Sequence, residues 1–123
     1  MRLLLIGIIA SFFVPALAAA DVTEEEVEYL VTTIGESNCT FIRNGKRYNA
    51  ADAEKHLRMK YQRGKRYAPT TEDFIEHLAS KSSMSKKLYH IDCPGEEVMP
   101  SSEWFALRLA AYRERQLDQG KVD

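Results

Sequence analysis

The chain lacks most of what would declare an activity. It has no G-x-G-x-x-G, no Walker A and no H-E-x-x-H motif, which removes the common nucleotide- and zinc-enzyme signatures. Its 123 residues fall short of a TIM barrel, which needs roughly 200. It has no C-x-x-C, so a dithiol redox enzyme is disfavoured. Neither Cys39 nor Cys93 has a second Cys or a His at a usual ligand spacing, so no metal and no cofactor is expected. Charge of one sign is also missing. The chain sets 17 Lys+Arg against 18 Asp+Glu, a net of −1, whereas a dedicated nucleic-acid binder is clearly basic. There are no repeats and no linker long enough to separate two domains. Charged residues at 28% and hydrophobic ones at 45% set aside collagen, long coiled coil and wholesale disorder.

What is present begins with one apolar run. Met1-Arg2 is a short positive start, Leu3 to Val14 is apolar apart from Gly7 and Ser11, and Pro15 precedes Ala16-Leu17-Ala18-Ala19-Ala20. This is the three-part pattern of a secretory signal, residues 1–20, with cleavage after Ala18 or after Ala20. The competing reading is an uncleaved anchor, but the run is short of the roughly 20 residues a span requires. Residues 21–118 then form one small domain, and 119–123 a frayed tail. Export places the chain in the periplasm, with no membrane span after cleavage. In an oxidising compartment an even pair of cysteines reads as a disulfide, Cys39 to Cys93, against the alternative of two buried thiols.

The periodicities predict an α+β domain of about four helices with a short antiparallel sheet. Thr23 and Glu26 fit a capping box for a helix over 23–36, with Val27, Leu30, Val31 and Ile34 inward. Asn44-Gly45 between "TFI" and "KRY" predicts a type I′ hairpin over 39–49. Asn49 caps a second helix to 63, with Gly64 as its C′ stop. Thr70 caps a third over 71–81, whose apolar face is Phe74, Ile75, Leu78 and Ala79. Ser80–Lys87 reads as loop. Residues 88–93 alternate as a strand, with Tyr89, Ile91 and Cys93 on one side. Ser101 caps a last helix over 102–117, with Trp104, Leu107 and Ala111 beside Phe105, Leu109 and Tyr112. The disulfide ties the hairpin to the late strand.

The charge is unevenly spread. Residues 21–36 carry six acids and no base, while 43–66 carry nine bases and two acids, a net of +7. Two readings stand side by side. The acidic helix neutralises the basic segment, or the segment is an anion-binding surface. His56, Lys60 and Arg63 share a helix face by spacing, and the turn presents Arg43 and Lys46 nearby.

Signatures of catalysis are weak. Ser83-Met84-Ser85-Lys86 fits S-x-x-K, but the partner motifs S-D-N and K-T-G are missing. A serine with His56, His77 or His90 as base would need a geometry that spacing cannot supply. Glu96-Glu97 are adjacent loop acids without an evident cleft between them, unlike a glycosidase pair.

Taken together, "FIRNGKRY" at 41–48, "AEKHLRMKY" at 53–61, "TTEDFIEHLASKSSMS" at 70–85 and "YHIDCP" at 89–94, followed by Trp104, resemble the YfeK-like family of small exported bacterial proteins. The resemblance covers about residues 25 to 113. It implies an envelope protein with a disulfide, and no nameable activity. The family pattern implies a Gly-Lys-Pro-like turn after the serines. Here Lys86-Lys87-Leu88 stands instead, which predicts a looser, more basic loop. Among the matching positions, Arg43, Asn44, His56, Lys60, Ser82, Ser83 and Ser85 are the ones burial alone does not demand. They are the expected ligand or partner site of a non-enzymatic binding module. Its expected partner is an envelope protein or an anionic glycan or phosphate, not nucleic acid. The alternative is a small Ser/His hydrolase of the envelope.

Overall fold

A computed structural model describes residues 16–120. The chain forms α1 (Ala16–Glu36), β1 (Thr40–Arg43), β2 (Lys46–Tyr48), α2 (Ala50–Gly64) and a short 3-10 turn (Lys65–Tyr67). Then come α3 (Thr71–Asp73), running straight into a π-helical segment (Phe74–Ala79), β3 (His90–Asp92), β4 (Met99–Pro100) and α4 (Ser101–Gly120). The part of the expected signal segment before residue 16, and the tail beyond 120, lie outside the described residues. The α+β class, the four helices, the antiparallel sheet and the Cys39–Cys93 bridge are as the sequence predicts.

The sheet order is β2-β1-β3-β4, antiparallel throughout. Asn44 and Gly45 take φ of 51° and 77°, the paired positive values of a type I′ turn. That two-residue loop fixes the register, with Arg43 opposite Lys46 and Phe41 opposite Tyr48. Because β1 side chains alternate, Phe41 and Arg43 share one face. Thr40 pairs with Asp92, so the residues one step further out are Cys39 and Cys93, which are bonded. β4 is a strand the sequence did not announce; its two residues pair with His90 and Ile91.

The core lies between the sheet and the helices. Leu30, Ile34, Phe41, Leu57, Phe74, Ile91 and Phe105 are all but inaccessible to solvent. Asn49 caps α2 by accepting from the Asp52 N–H. Thr70 caps α3 as expected, and Asp73 completes a full capping box with it.

Several local expectations are corrected. Thr23 does not start α1, which begins seven residues earlier. Its hydroxyl donates to the carbonyls of Ala19 and Pro69, and Glu26 accepts from Thr71 and Arg113 instead. Gly64 is not a left-handed stop. Its φ is −115°, and its absent side chain admits Leu78, whose Cδ2 would lie 2.9 Å from an added Cβ. The third helix ends at Ala79 rather than 81, in a wide π turn. Ser101 lies inside α4, and its buried hydroxyl donates to the Ala79 carbonyl at 2.6 Å. Leu107 is exposed, so the buried stripe of α4 is Trp104, Phe105 and Leu109. Gln119 and Gly120 stay helical rather than frayed. The Ser80–Lys87 segment is not loose. Lys86 N–H donates to the Ser82 carbonyl and Ser82 N–H to that of Lys87, closing a turn with Lys86 at φ 63°.

Candidate functional site: a cationic cleft between the hairpin, α2 and the serine turn

β1 and α2 meet through Phe41, Leu57 and Ala53, all buried. Sheet alternation then carries Arg43, two residues beyond Phe41, to the same side. It meets α2 at His56, one turn before Lys60. The turn preceding β3 brings in the serines. Its anchor is Tyr89, whose N–H donates to Ser80 and whose carbonyl accepts from Ser101. These elements enclose a cleft of about 540 Å³ lined by all seven residues expected from the sequence: Arg43, Asn44, His56, Lys60, Ser82, Ser83 and Ser85.

The centre of the cleft is a chain of polar contacts on a buried tyrosine. Tyr89 is 1% exposed, with its ring against Phe41 at 4.9 Å. Lys60 Nζ donates to the Tyr89 hydroxyl at 3.1 Å and to the Lys81 carbonyl at 3.0 Å. His56 Nε2 lies 3.3 Å from the same hydroxyl. Arg43 Nη1 lies 3.2 and 3.3 Å from the two ring nitrogens of His56. Its Nη2 donates to the Tyr48 hydroxyl, and the guanidinium stands over that ring at 4.7 Å. An arginine can only donate, so His56 accepts from it and the ring is neutral. Burial, then Arg43 and Lys60, hold the His56 pKa down at about 4. Burial, then Arg43 and Lys86, bring the Lys60 pKa down to about 8. Burial pushes the Tyr89 phenol up, against a smaller lowering by Arg43.

The expected residues divide by role. Arg43, His56 and Lys60 are half-buried and face one another across Tyr89. Ser82 is buried, and its hydroxyl accepts from the Ser85 N–H. Ser85 donates to the Asn44 side-chain oxygen at 2.6 Å. These three pin the serine turn to the hairpin, while Ser83 is exposed at the rim. Spacing singled out none of Tyr89, Tyr48, Met59, Tyr67 and Met84 for the site. Tyr89 reads as a core strand residue, and only its hydroxyl gives it a second role. Arg63 also lines the cleft; Lys46 is exposed at the turn.

The basic segment is partly neutralised and partly not. Arg58 pairs with Glu28 of α1 and Lys65 with Glu24 at 2.9 Å, as the neutralising reading expects. Arg47 pairs with Asp92. Among the described residues, no carboxylate forms an ion pair with Arg43 or Lys60. A neighbouring cleft of about 520 Å³, also walled by Arg43 and His56, does carry an acid, Asp52.

Among the described residues, no serine hydroxyl hydrogen-bonds His56; its partners are Arg43 and Tyr89. A ring with a pKa of about 4 is also a weak base at neutral pH. Ser83 and Lys86 are not one helical turn apart, since the segment is a turn with Lys86 at positive φ. His77 is exposed beside Asp73, and no group of three or more potential metal ligands occurs among the described residues. No helix there is long and apolar enough to cross a membrane.

Comparison with known proteins returns a family without an assigned role. The family described as "Family of unknown function (DUF5329)" matches residues 21–113. An uncharacterized protein of Salmonella typhimurium, YfeK, is 34% identical over 77 residues, covering 61% of this chain and 64% of its own length. The chain thus spans under two thirds of the relative it matches. No solved structure matches it.

Proposed function

For this chain, which belongs to the DUF5329 family of unknown function, we propose a non-enzymatic binding module of the bacterial periplasm whose Arg43–Lys60 cleft takes an anionic ligand or partner. The observation that carries the reading is the unpaired state of those two cations. Every ionised group costs solvation free energy when half-buried. Arg47 and Lys65 are exposed and, like Arg58, pair with carboxylates. Arg43 and Lys60 instead are half-buried, lack a carboxylate, and sit close enough for Arg43 to raise the cost of charging Lys60. An oxyanion there would supply the missing counter-charge, through charge-assisted hydrogen bonds.

Export is part of the proposal. The Met1–Ala20 pattern supports it, and a Cys39–Cys93 bond suits an oxidising compartment. The protein from the envelope fraction is expected to begin at Ala19 or Asp21; an intact Met1 in cytosolic protein rejects export.

The binding test is a titration of the purified protein with inorganic phosphate, pyrophosphate, citrate and polygalacturonate, followed by amide chemical shifts. Shifts confined to 43–48, 56–60 and 82–89, and lost in Arg43→Ala/Lys60→Met, support the site. No response to any of the four, or a response unchanged in that variant, rejects it.

A further inference from the structure

We propose that the Arg43–Lys60 cleft takes an alkyl phosphate monoester, with the phosphate against the two cations and the alkyl chain laid over Met59, Tyr67 and Met84. The inference rests on the anion-binding reading above and adds the body to which the anion is attached.

The rim of the cleft is the observation that carries it. Tyr67 and Met84 are 61% and 95% exposed, and Met59 is 37% exposed. All three line the cleft whose floor is Arg43, Lys60 and Tyr89. Apolar side chains left in water beside a desolvated cationic floor make an amphipathic site. The floor lacks a counter-charge, and the rim is stabilised when its apolar surface is covered. Two of the three rim residues are methionines, whose unbranched thioethers adapt to a flexible chain.

Charge selects the head. A phosphate monoester carries about −1.5 to −2 at neutral pH, against −1 for a carboxylate. The cleft offers Arg43 and Lys60, and Lys86 is close enough to act on Lys60. Ser83 adds a hydroxyl at the same rim. Size selects a single molecule. A volume of about 540 Å³ falls among clefts that hold one small ligand, too small to seat a bilayer surface.

The experiment is calorimetric titration of the purified protein with octyl phosphate below its self-association concentration. Inorganic phosphate, octanoate and octyl glucoside serve as comparison ligands. Octyl phosphate is expected to bind at least about tenfold more tightly than inorganic phosphate, a gain of about 1.4 kcal/mol. Tyr67→Ser with Met84→Ser changes exposed positions only. It is expected to remove most of that gain and leave inorganic phosphate binding unchanged. Lys60→Met is expected to weaken both phosphates.

Equal binding of octyl phosphate and inorganic phosphate overturns the alkyl part and leaves the anion site standing. Equal binding of octanoate, or binding of octyl glucoside, overturns the phosphate part. Binding of no anion in either titration overturns both readings together. Co-sedimentation with phosphatidic acid vesicles through Arg43 and Lys60, without octyl phosphate binding, overturns the single-molecule proposal in favour of a bilayer surface.

Discussion

Tyr89 shows how one buried side chain gathers polar neighbours that are themselves half-buried. Its ring fills the core against Phe41, while its hydroxyl is the meeting point of Lys60 and His56. Both groups are bases whose protonated forms are disfavoured in the fold. His56 binds its proton at about pH 4 rather than 6.5. Between those values the unfolded chain holds more protons, so stability is lost as pH falls from 6.5 towards 4. Lys60 titrates at about 8 rather than 10.5. By the same sign, stability rises as pH climbs from 8 to 10.5. Urea unfolding of wild type and His56→Gln at pH 7 and pH 4.5 is expected to show a larger pH-dependent loss in the wild type. For a half-exposed ring the difference should be on the order of 1 kcal/mol. Equal losses would mean that the histidine is not held neutral by its surroundings.

Among the elements, α2 and the π-helical segment decide the shape of the cleft. The caps at Asn49 and Thr70 were legible because their logic is local: a hydroxyl or amide oxygen three residues from an orphan N–H. Thr23 and Glu26 have the same spacing and do not cap. Their partners Pro69, Thr71 and Arg113 are remote in sequence, and tertiary pairing overrides the local option. Gly64 was misread for the same reason. Its smallness serves Leu78, a contact no local pattern contains. Gly64→Ala is expected to destabilise by about 1 to 3 kcal/mol, since a buried Leu78 must move. A C′ glycine in a left-handed conformation would also resist alanine, but through φ. The two accounts separate in Leu78→Ala, which should remove most of the cost of the Gly64 change in a double-mutant cycle of thermal stabilities.

On the scale of the whole molecule, Arg113 of α4 joins the front and middle of the chain. It donates to Glu26 at 2.7 and 2.9 Å and to Glu72, and Glu26 is 5% exposed. Arg113 holds the Glu26 carboxyl below its ordinary range, against the opposing effect of burial. Arg113→Ala leaves that carboxylate buried with Thr71 alone. The expected loss is about 3 kcal/mol at pH 7 by chemical denaturation. It should shrink at acidic pH, where Glu26 in the variant can take up a proton. A loss below about 0.5 kcal/mol would show that α4 is held by its apolar stripe alone.

By itself, the sequence determined the parts governed by neighbours in the chain. These are the hairpin at Asn44-Gly45, the caps at Asn49 and Thr70, the alternation that buries Tyr89, Ile91 and Cys93, and the apolar faces of four helices. Each follows from interactions within a few residues, whose geometry is fixed by the period of a helix or strand. The polar residues of the cleft came from the resemblance to the YfeK-like family, as the matching positions that burial alone does not demand. Only the tertiary structure decided which cations remain without a carboxylate. Arg58 and Lys65 fall within reach of the acidic first helix, while Arg43 and Lys60 fall on the far side of α2, against Tyr89. Charge along a sequence gives totals, but pairing depends on distances of a few ångströms between residues up to ninety positions apart. The packing of α1 and of β1 against α2 sets those distances.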